Sequence, residues 1–300
     1  MTIDSEIGGL VALGDDAYCQ VGPRGEGNQG ILVTSEGSVL IDGYIRNYAP
    51  LMDSLNEVTK SSPVRYVVNT HDDMDHFSMN HFFRQQGATV LASEVCRASI
   101  HKKMNSKVWV DNLKSRNPEL GRDIDTPQDL IPNIGIEKHA TFTPGGEVME
   151  LIYMGHGHSP GDLVIYLPER KLLYAGDLVF AGMHGRCKTC DFGGILPILD
   201  SLMDYPCETV VPGHGIPIVG VGTEAIAVYK DYLVTLQQRI AELVTNGVSI
   251  EDSKNKFDDW KYFNWGRPQL VHTAIEHAYK DFVWRSRFQA FQTLHEDKYD

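Results

Sequence analysis

Short apolar runs alternate with longer amphipathic stretches over the first two thirds of the chain, which is typical of the α/β class. The runs predict strands at residues 17–21, 30–34, 39–41, 65–69, 89–92, 136–142, 148–153, 162–166, 171–174 and 209–211. The stretches between them predict helices over residues 48–60, 77–86 and 93–107. Residues 108–140 have no clear period and contain Pro118, Pro127 and Pro132, so we expect a loop or short helices there.

After Gly222 the pattern changes to a helical period. Apolar residues predict one long helix over residues 223–246 and a second over 268–294, with an aromatic cluster, Trp260 to Trp265, on a turn between them. We therefore divide the chain into an α/β domain, residues 1–222, and a C-terminal helical extension, residues 223–300. The aromatic cluster either packs between these helices or forms part of a lid.

Composition narrows the classes of partner. The formal net charge is −13, which disfavours nucleic acid as a partner because binding it needs clustered Lys and Arg. No apolar run has the length of a membrane span, and the acidic start, Met1 to Glu6, lacks the features of a secretory signal. The five cysteines are an odd number and widely spread, so reduced thiols in a cytoplasmic protein are expected.

A dense polar cluster directly follows the predicted strand at 65–69. It offers four potential metal ligands within six residues: His71, Asp73, Asp75 and His76. Imidazole and carboxylate without thiolate suit a divalent ion in an open, reactive site and not a closed structural zinc site. Asp72, which lies between them, is expected to be a neighbour of the ligands.

Three further candidates follow later predicted strands, each flanked by glycines that let the backbone turn sharply. They are His156 or His158, then Asp177, then His214. Together with the first cluster they make seven ligands, which is too many for one tetrahedral ion and suits two ions that share a carboxylate. Asp162 either orients a ligand histidine or caps a strand.

In this order the motifs resemble those of the metallo-β-lactamase superfamily of metal-dependent hydrolases, over roughly residues 15–220. The segment Leu40-Ile41-Asp42-Gly43 resembles its opening motif, and Gly157-His158-Ser159-Pro160-Gly161-Asp162 is similar to the glyoxalase II and lactonase branch. The latter context favours His158 over His156. The resemblance implies an αβ/βα four-layer sandwich with the metals at one edge of the sheets.

One residue departs from the family pattern. Asp73 stands where the common pattern has its second histidine. The family implies zinc, whereas an oxygen donor at this position favours iron or manganese. The identity of the two divalent ions therefore stays open.

The resemblance implies hydrolysis of an ester, thioester or lactone of a small molecule by a water that two metal ions activate. His71, Asp73 and His158 would hold the first ion, Asp75, His76 and His214 the second, and Asp177 both, with Asp75 also moving a proton. The alternative is an oxygen-dependent oxidoreductase with two irons on the same fold. A sensor or partner-binding protein is disfavoured because the ligand set is complete.

Features outside the ligand motifs bear on the substrate. A lid rich in aromatic residues would suit an apolar or aromatic substrate, and exposed lid helices would suit a homodimer. His184 follows Asp177 closely enough to be a candidate substrate-side hydrogen-bond donor. Cys187 and Cys190 lack a second cysteine pair at metal spacing, so we interpret them as ordinary thiols.

Overall fold

The computed structural model describes residues 8–59, 62–116 and 127–296, with side chains up to residue 288. The described residues form a first sheet of seven strands, in chain order, that is antiparallel from β1 to β4 and parallel from β4 to β7. Its strands are β1 (Gly9–Gly14), β2 (Ala17–Val21), β3 (Gln29–Thr34), β4 (Gly37–Ile41), β5 (Val64–Val68), β6 (Thr89–Ser93) and β7 (Ile134–Ile136).

Helices cover the outer face of this sheet, because each parallel connection must cross from one end of the sheet to the other. They are α1 (Tyr48–Thr59), α2 (Met74–Phe77), α3 (Asn80–Gln85), α4 (Glu94–Met104) and α5 (Lys107–Arg116).

The second sheet has the order β13-β12-β11-β10-β9-β8 and is antiparallel except for the β11–β12 pair. A helix, α6 (Ile195–Met203), connects those two parallel strands. The strands are β8 (His139–Phe142), β9 (Met149–Gly155), β10 (Asp162–Leu167), β11 (Leu172–Phe180), β12 (Thr209–His214) and β13 (Ile218–Val219).

Alternation along the strands assigns side chains to two faces. In β4, Val39 and Ile41 join the apolar cluster between the sheets, while Leu40 packs beneath the helices of the first sheet. In β10, Ile165 joins the same central cluster and Val164 packs on the opposite face. The layers are therefore helix, sheet, sheet and helix, which confirms the predicted α/β fold and the αβ/βα sandwich.

The C-terminal extension completes the fourth layer. It consists of α7 (Thr223–Thr245), α8 (Ile250–Lys254) and α9 (Val271–Glu296). Ile226, Tyr229 and Leu233 of α7 are fully buried in the apolar cluster on the outer face of the second sheet. The extension begins where it was predicted, while the division into two domains stays a prediction. No helix of the described segments is long and apolar enough to cross a membrane.

Some predicted elements differ from the structure. The single strand predicted at 136–142 is two strands, because the chain leaves the first sheet after β7 and enters the second at β8. The irregular region contains a ten-residue helix, α5, which agrees with the expectation of a loop or short helices there. Pro118 and the last residue of the helix predicted at 48–60 lie outside the described residues.

Candidate metal centre

The first ligand loop begins where β5 ends, and its backbone is tied to neighbouring strands. His71 follows the strand by three residues, Asp73 precedes α2, and Asp75 and His76 lie within that short helix. His71 and His76 are buried, while the side chains of Asp73 and Asp75 are 39% and 28% exposed. The two carboxylates of the loop are thus the ligand candidates that solvent reaches.

Asp177 lies inside β11 and not in a loop after it, as the predicted strand 171–174 had implied. The pairing with β12 becomes irregular around Gly176, which has a φ of 54°. A Cβ on Gly176 would lie 2.7 Å from the Thr70 side chain, and one on Gly213 would lie 1.9 Å from Asp177 Oδ1. Both glycines are required because an added side chain would overlap Thr70 in one case and Asp177 in the other.

The described ligands form two groups. The first is His71, Asp73, His158 and Asp177, and the second is Asp75, His76 and His214, with ligand atoms inside each group within 4.8 Å of one another. All seven residues that the sequence predicted as ligands are therefore brought together.

Asp177 connects the two groups. Its Oδ2 lies 3.8 Å from His71 Nε2 and 3.3 Å from His158 Nε2 of the first group. The same oxygen lies 3.3 Å from His214 Nε2 of the second group, and Oδ1 lies 3.3 Å from His76 Nε2. One buried carboxylate thus faces four imidazoles, which is the arrangement expected of a bridging ligand.

Buried partners orient three of these imidazoles. His76 Nδ1 donates to Asp42 Oδ2 at 2.8 Å, and Thr70 Oγ1 donates to the same oxygen at 2.7 Å. His71 Nδ1 lies 3.0 Å from Thr70 Oγ1, which is then free to accept. His214 Nδ1 donates to the Gly25 carbonyl at 2.8 Å. In each ring Nε2 is therefore left for the cluster. Asp42 lies in the segment Leu40-Ile41-Asp42-Gly43, which resembles the family's opening motif, but the sequence predicted no role for Asp42 or for Thr70.

The loop before β10 shows which of the two candidate histidines lies with the other ligands. His158 is buried in the first ligand group, whereas His156 is exposed and binds the Thr189 carbonyl at 2.6 Å. Asp162 accepts from the backbone of Gly157 and Ser159 at 3.1 Å and from the Ser159 hydroxyl at 2.6 Å. It shapes the loop that carries His158 and does not bind the imidazole ring. Burial raises the pKa of Asp162 to about 6, against the lowering influence of these donors.

The residues present fit divalent ions. Three buried atoms that face one another, His71 Nε2, His76 Nε2 and Asp177 Oδ1, have no hydrogen-bond partner, and such buried polar atoms require compensation. Burial disfavours charge on His76, yet the carboxylates of Asp177 and Asp42 outweigh it and hold the pKa of His76 well above its usual value. The cluster therefore favours positive charge at its centre, which bound cations would supply.

A cavity of about 520 Å³ opens over the two solvent-reached carboxylates, Asp73 and Asp75. Six of its sixteen lining residues are Lys or Arg, compared with 27 of 300 in the whole chain. Asp72 lines it as well, but its carboxylate is bound by Ser99 and Lys103. The lining is thus mainly charged, and the expectation of an apolar substrate finds no support in it.

The aromatic cluster and His184 lie elsewhere. Trp260 is 6% exposed, and Trp265 stacks on Tyr232 at 5.0 Å, so these rings pack between the C-terminal helices and do not line the cavity. His184 is fully buried beside them, with Nδ1 3.0 Å from the Tyr232 hydroxyl and Nε2 3.3 Å from the Phe263 carbonyl. The structure therefore places His184 in helix packing and not at the substrate, contrary to the role predicted for it.

The loop between β11 and α6 carries the cysteine pair. Cys187 is buried and Cys190 half-buried, and both are free thiols. Their neighbours Arg186, Lys188 and Thr189 line the cavity, a location that the spacing alone did not indicate.

The sequence model of the family described as the metallo-beta-lactamase superfamily matches residues 22–214, a range that contains all seven ligands. Among curated proteins, 2,4-dinitroanisole O-demethylase subunit alpha of Nocardioides sp. (strain JS1661) is 24% identical over 153 residues, which are 51% of this chain. The matched part spans 40% of that relative's own length.

Solved structures share the fold at low identity. A metallo-beta-lactamase from Pontibacter korlensis superposes with a TM-score of 0.58 and 22% identity, covering 75% of this chain and 97% of its own. The stereoselective inverting sec-alkylsulfatase Pisa1 from Pseudomonas sp. has a TM-score of 0.68 and 18% identity, covering 92% of this chain and 50% of its own. The larger share covered by the alkylsulfatase means that this likeness of fold extends into the C-terminal helices.

Proposed function

This chain belongs to the metallo-beta-lactamase superfamily, and on that premise we propose that it is a metal-dependent hydrolase of a small ester, thioester or lactone. The observation that carries the proposal is the position of Asp177, whose two oxygens reach both ligand groups. A complete ligand set around one shared carboxylate is the arrangement that two-metal hydrolysis needs.

The ligand groups suggest how the metals would be held. His71, Asp73 and His158 would hold one ion and Asp75, His76 and His214 the other, with Asp177 between them. Bound divalent ions would supply Lewis acidity and lower the pKa of a coordinated water. The protein's own part is to fix the imidazoles through Asp42, Thr70 and the Gly25 carbonyl, and to keep the four histidine ligands and Asp177 away from bulk water.

Asp75 has a second role in this proposal. Its Oδ2 lies 3.4 Å from His214 Nε2, and its side chain also lines the cavity. A carboxylate in that position can bind an ion through one oxygen and pass a proton to or from the substrate through the other. An Asp75→Asn variant that keeps its metals but loses most of its turnover would support proton transfer, whereas loss of metal would reduce Asp75 to a ligand.

Metal content and substrate range test the proposal together. The full chain is purified from cells supplied with zinc, iron and manganese, analysed for metals, and assayed with esters, thioesters and lactones. An alkyl sulfate and an aryl methyl ether belong in the panel, since the names of two relatives refer to such compounds. Bound metal together with hydrolysis that a chelator abolishes is the expected result. A protein that binds no metal even after reconstitution would overturn the proposal.

The alternative function is an oxygen-dependent oxidoreductase with two irons. Asp73 favours it, because a carboxylate in the first group makes that position harder and better suited to iron. Substrate-dependent oxygen consumption by the iron-loaded protein would support the alternative. Hydrolysis at the same rate without oxygen would exclude it for that substrate.

A further inference from the structure

We infer that the substrate carries an oxyanion, such as a carboxylate, and that Arg267 binds it while the bond to be cleaved lies over Asp73 and Asp75. This inference rests on the proposed function and narrows its substrate class. Six positive side chains line one cavity in a chain whose formal net charge is −13. Five of them form what we term the basic rim: Arg24, Arg46, Arg186, Lys188 and Arg267.

The cavity is lined by fewer acidic than basic residues, four against six. Of the other charged residues that line the cavity, Asp72 pairs with Lys103, and Glu26 lies 3.8 Å from Arg24. The remaining acids, Asp73 and Asp75, belong to the ligand groups.

Three members of the basic rim lack an ion pair within the described segments. Arg186, Lys188 and Arg267 make no ion pair with an acidic side chain in the part of the chain that the structure describes. Surplus positive charge in a concave site attracts and orients an anion, because the low-dielectric walls focus the field.

Arg267 contacts a ligand residue and is held in place by its neighbours. It follows a parallel bridge between Gly266 and Met183, which two backbone hydrogen bonds of 2.9 Å close on either side. Its side chain runs along Gly25, where an added Cβ would lie 3.2 Å from its Cδ. Its Nη1 lies 3.3 Å from His214 Nδ1. The guanidinium is therefore held half-buried beside the second ligand group.

The backbone of Arg267 supports a functional role. Its φ of 59° and ψ of 50° lie in the left-handed region that non-glycine residues rarely adopt. Arg24, which also lines the cavity, has a φ of 53°. Strained residues persist where the surrounding structure imposes them, and they concentrate at ligand sites. The two arginines with this backbone conformation, Arg24 and Arg267, line the same cavity.

The cavity has room for a substrate that carries an oxyanion at one end and the bond to be cleaved at the other. Its volume of about 520 Å³ is within the usual range for small-molecule sites. Arg267 presents a planar fork of donors, which suits the two oxygens of a carboxylate or of another oxyanion. A molecule bound in this way would place its neutral, cleavable group over the exposed ligands Asp73 and Asp75.

Paired substrates and variants of the metal-reconstituted full chain test the inference. The neutral probe is 4-nitrophenyl acetate and the anionic one is mono-4-nitrophenyl glutarate. In Arg267→Asn, the ratio of kcat/KM for the anionic to the neutral ester should fall at least about tenfold, the size of one charged hydrogen bond. Asparagine is chosen because it tolerates the left-handed backbone. Arg267→Lys, which keeps the charge but loses the fork, should give an intermediate ratio.

The matched control is Arg65→Gln. Arg65 is exposed at the start of β5, away from the ligand loop, and its substitution removes the same charge from the protein. It should leave the ratio unchanged. Added salt should lower kcat/KM for the anionic ester more than for the neutral one, because it screens the attraction.

Calorimetric titration of the metal-loaded protein with glutarate, methyl sulfate and methyl phosphate gives a readout that does not depend on turnover, and it shows which oxyanion is preferred. If neither these esters nor any thioester or lactone of the panel is cleaved but Arg267→Asn weakens glutarate binding, the proposed function fails and the anion site stands. If both esters are cleaved and Arg267→Asn changes neither the ratio nor the binding, the inference is overturned and the proposed function stands. An equal loss for both esters, accompanied by loss of metal, would also overturn it.

Discussion

Replacing Asp42 by asparagine tests how the centre is organised. The Asp42 carboxylate is buried and accepts the Thr70 amide at 2.8 Å, the Thr70 hydroxyl at 2.7 Å and His76 Nδ1 at 2.8 Å. An asparagine amide has only one oxygen, so at least one of these donors would face an NH₂ group. The φ of 60° at Asp42 is one that asparagine accepts, so the substitution adds little backbone strain.

Asp42→Asn is expected to reduce both the folding free energy and the metal affinity. A buried donor left without an acceptor costs about 1–3 kcal/mol of folding free energy. Loss of the partner that orients a ligand imidazole typically weakens metal binding by about 10- to 100-fold. Asp42→Asn should therefore melt at a lower temperature than the wild-type protein and release its metals at a lower chelator concentration.

Thermal unfolding of the metal-free protein and chelator competition on the loaded protein measure these two quantities separately. The control is Asp16→Asn, since Asp16 is exposed in a turn and has a similar φ of 58°. The control should change neither quantity. If Asp42→Asn, like the control, kept the wild-type metal affinity, the orientation of His76 would not depend on this carboxylate. That result would refute the role given to Asp42.

Three other changes have defined outcomes. His158→Gln should lose metal while His156→Gln keeps it, by elemental analysis, since the structure puts only His158 in a ligand group. Gly213→Ala should also lose metal, because its Cβ would lie 1.9 Å from Asp177 Oδ1, and retained metal would contradict this. Burial lowers the pKa of His184, so the folded state disfavours the protonated imidazole. His184 should therefore not reduce the free energy of unfolding above its unfolded pKa of about 6.5, and should reduce it progressively as the pH drops below that value. His184→Phe should flatten that decline in urea unfolding from pH 8 to 5.5.

The ligand set could be predicted from the sequence because six of its members follow or end a strand, while Asp177, inside β11, lies three residues after the predicted strand 171–174. The ends of neighbouring strands meet at one edge, so residues far apart in sequence converge there without further information. The glycines beside Asp177 and His214 are also visible in the sequence, and in the structure Gly176 and Gly213 occupy positions where a side chain has no room. Local pattern was enough for these features.

Contacts between distant segments could not be predicted in that way. His184 follows Asp177 by seven residues, but α7 and the aromatic turn bury it, and the pattern around His184 does not contain those partners. Residues 136–142 predicted one strand because Ile136, Ala140 and Phe142, at even spacing, all pack against the cluster between the sheets, although β7 and β8 belong to different sheets. In each case a local signal was correct in type, and tertiary packing decided where the residue lies.

The basic rim shows the same limit, because its charge could not be predicted from the local pattern. Its members come from four separate segments, and no two of them are closer than two residues in sequence, so no cluster of positive charge is visible along the chain. Four of the five also lie before residue 223, in the part of the chain that carries the ligands, while Arg267 lies between α8 and α9 of the C-terminal extension. The extension therefore does more than cover the second sheet. By bridging Met183 to Gly266 it delivers one cation to the edge of the metal centre. Substrate selection can then change through a few residues of the extension while the ligand loops stay as they are.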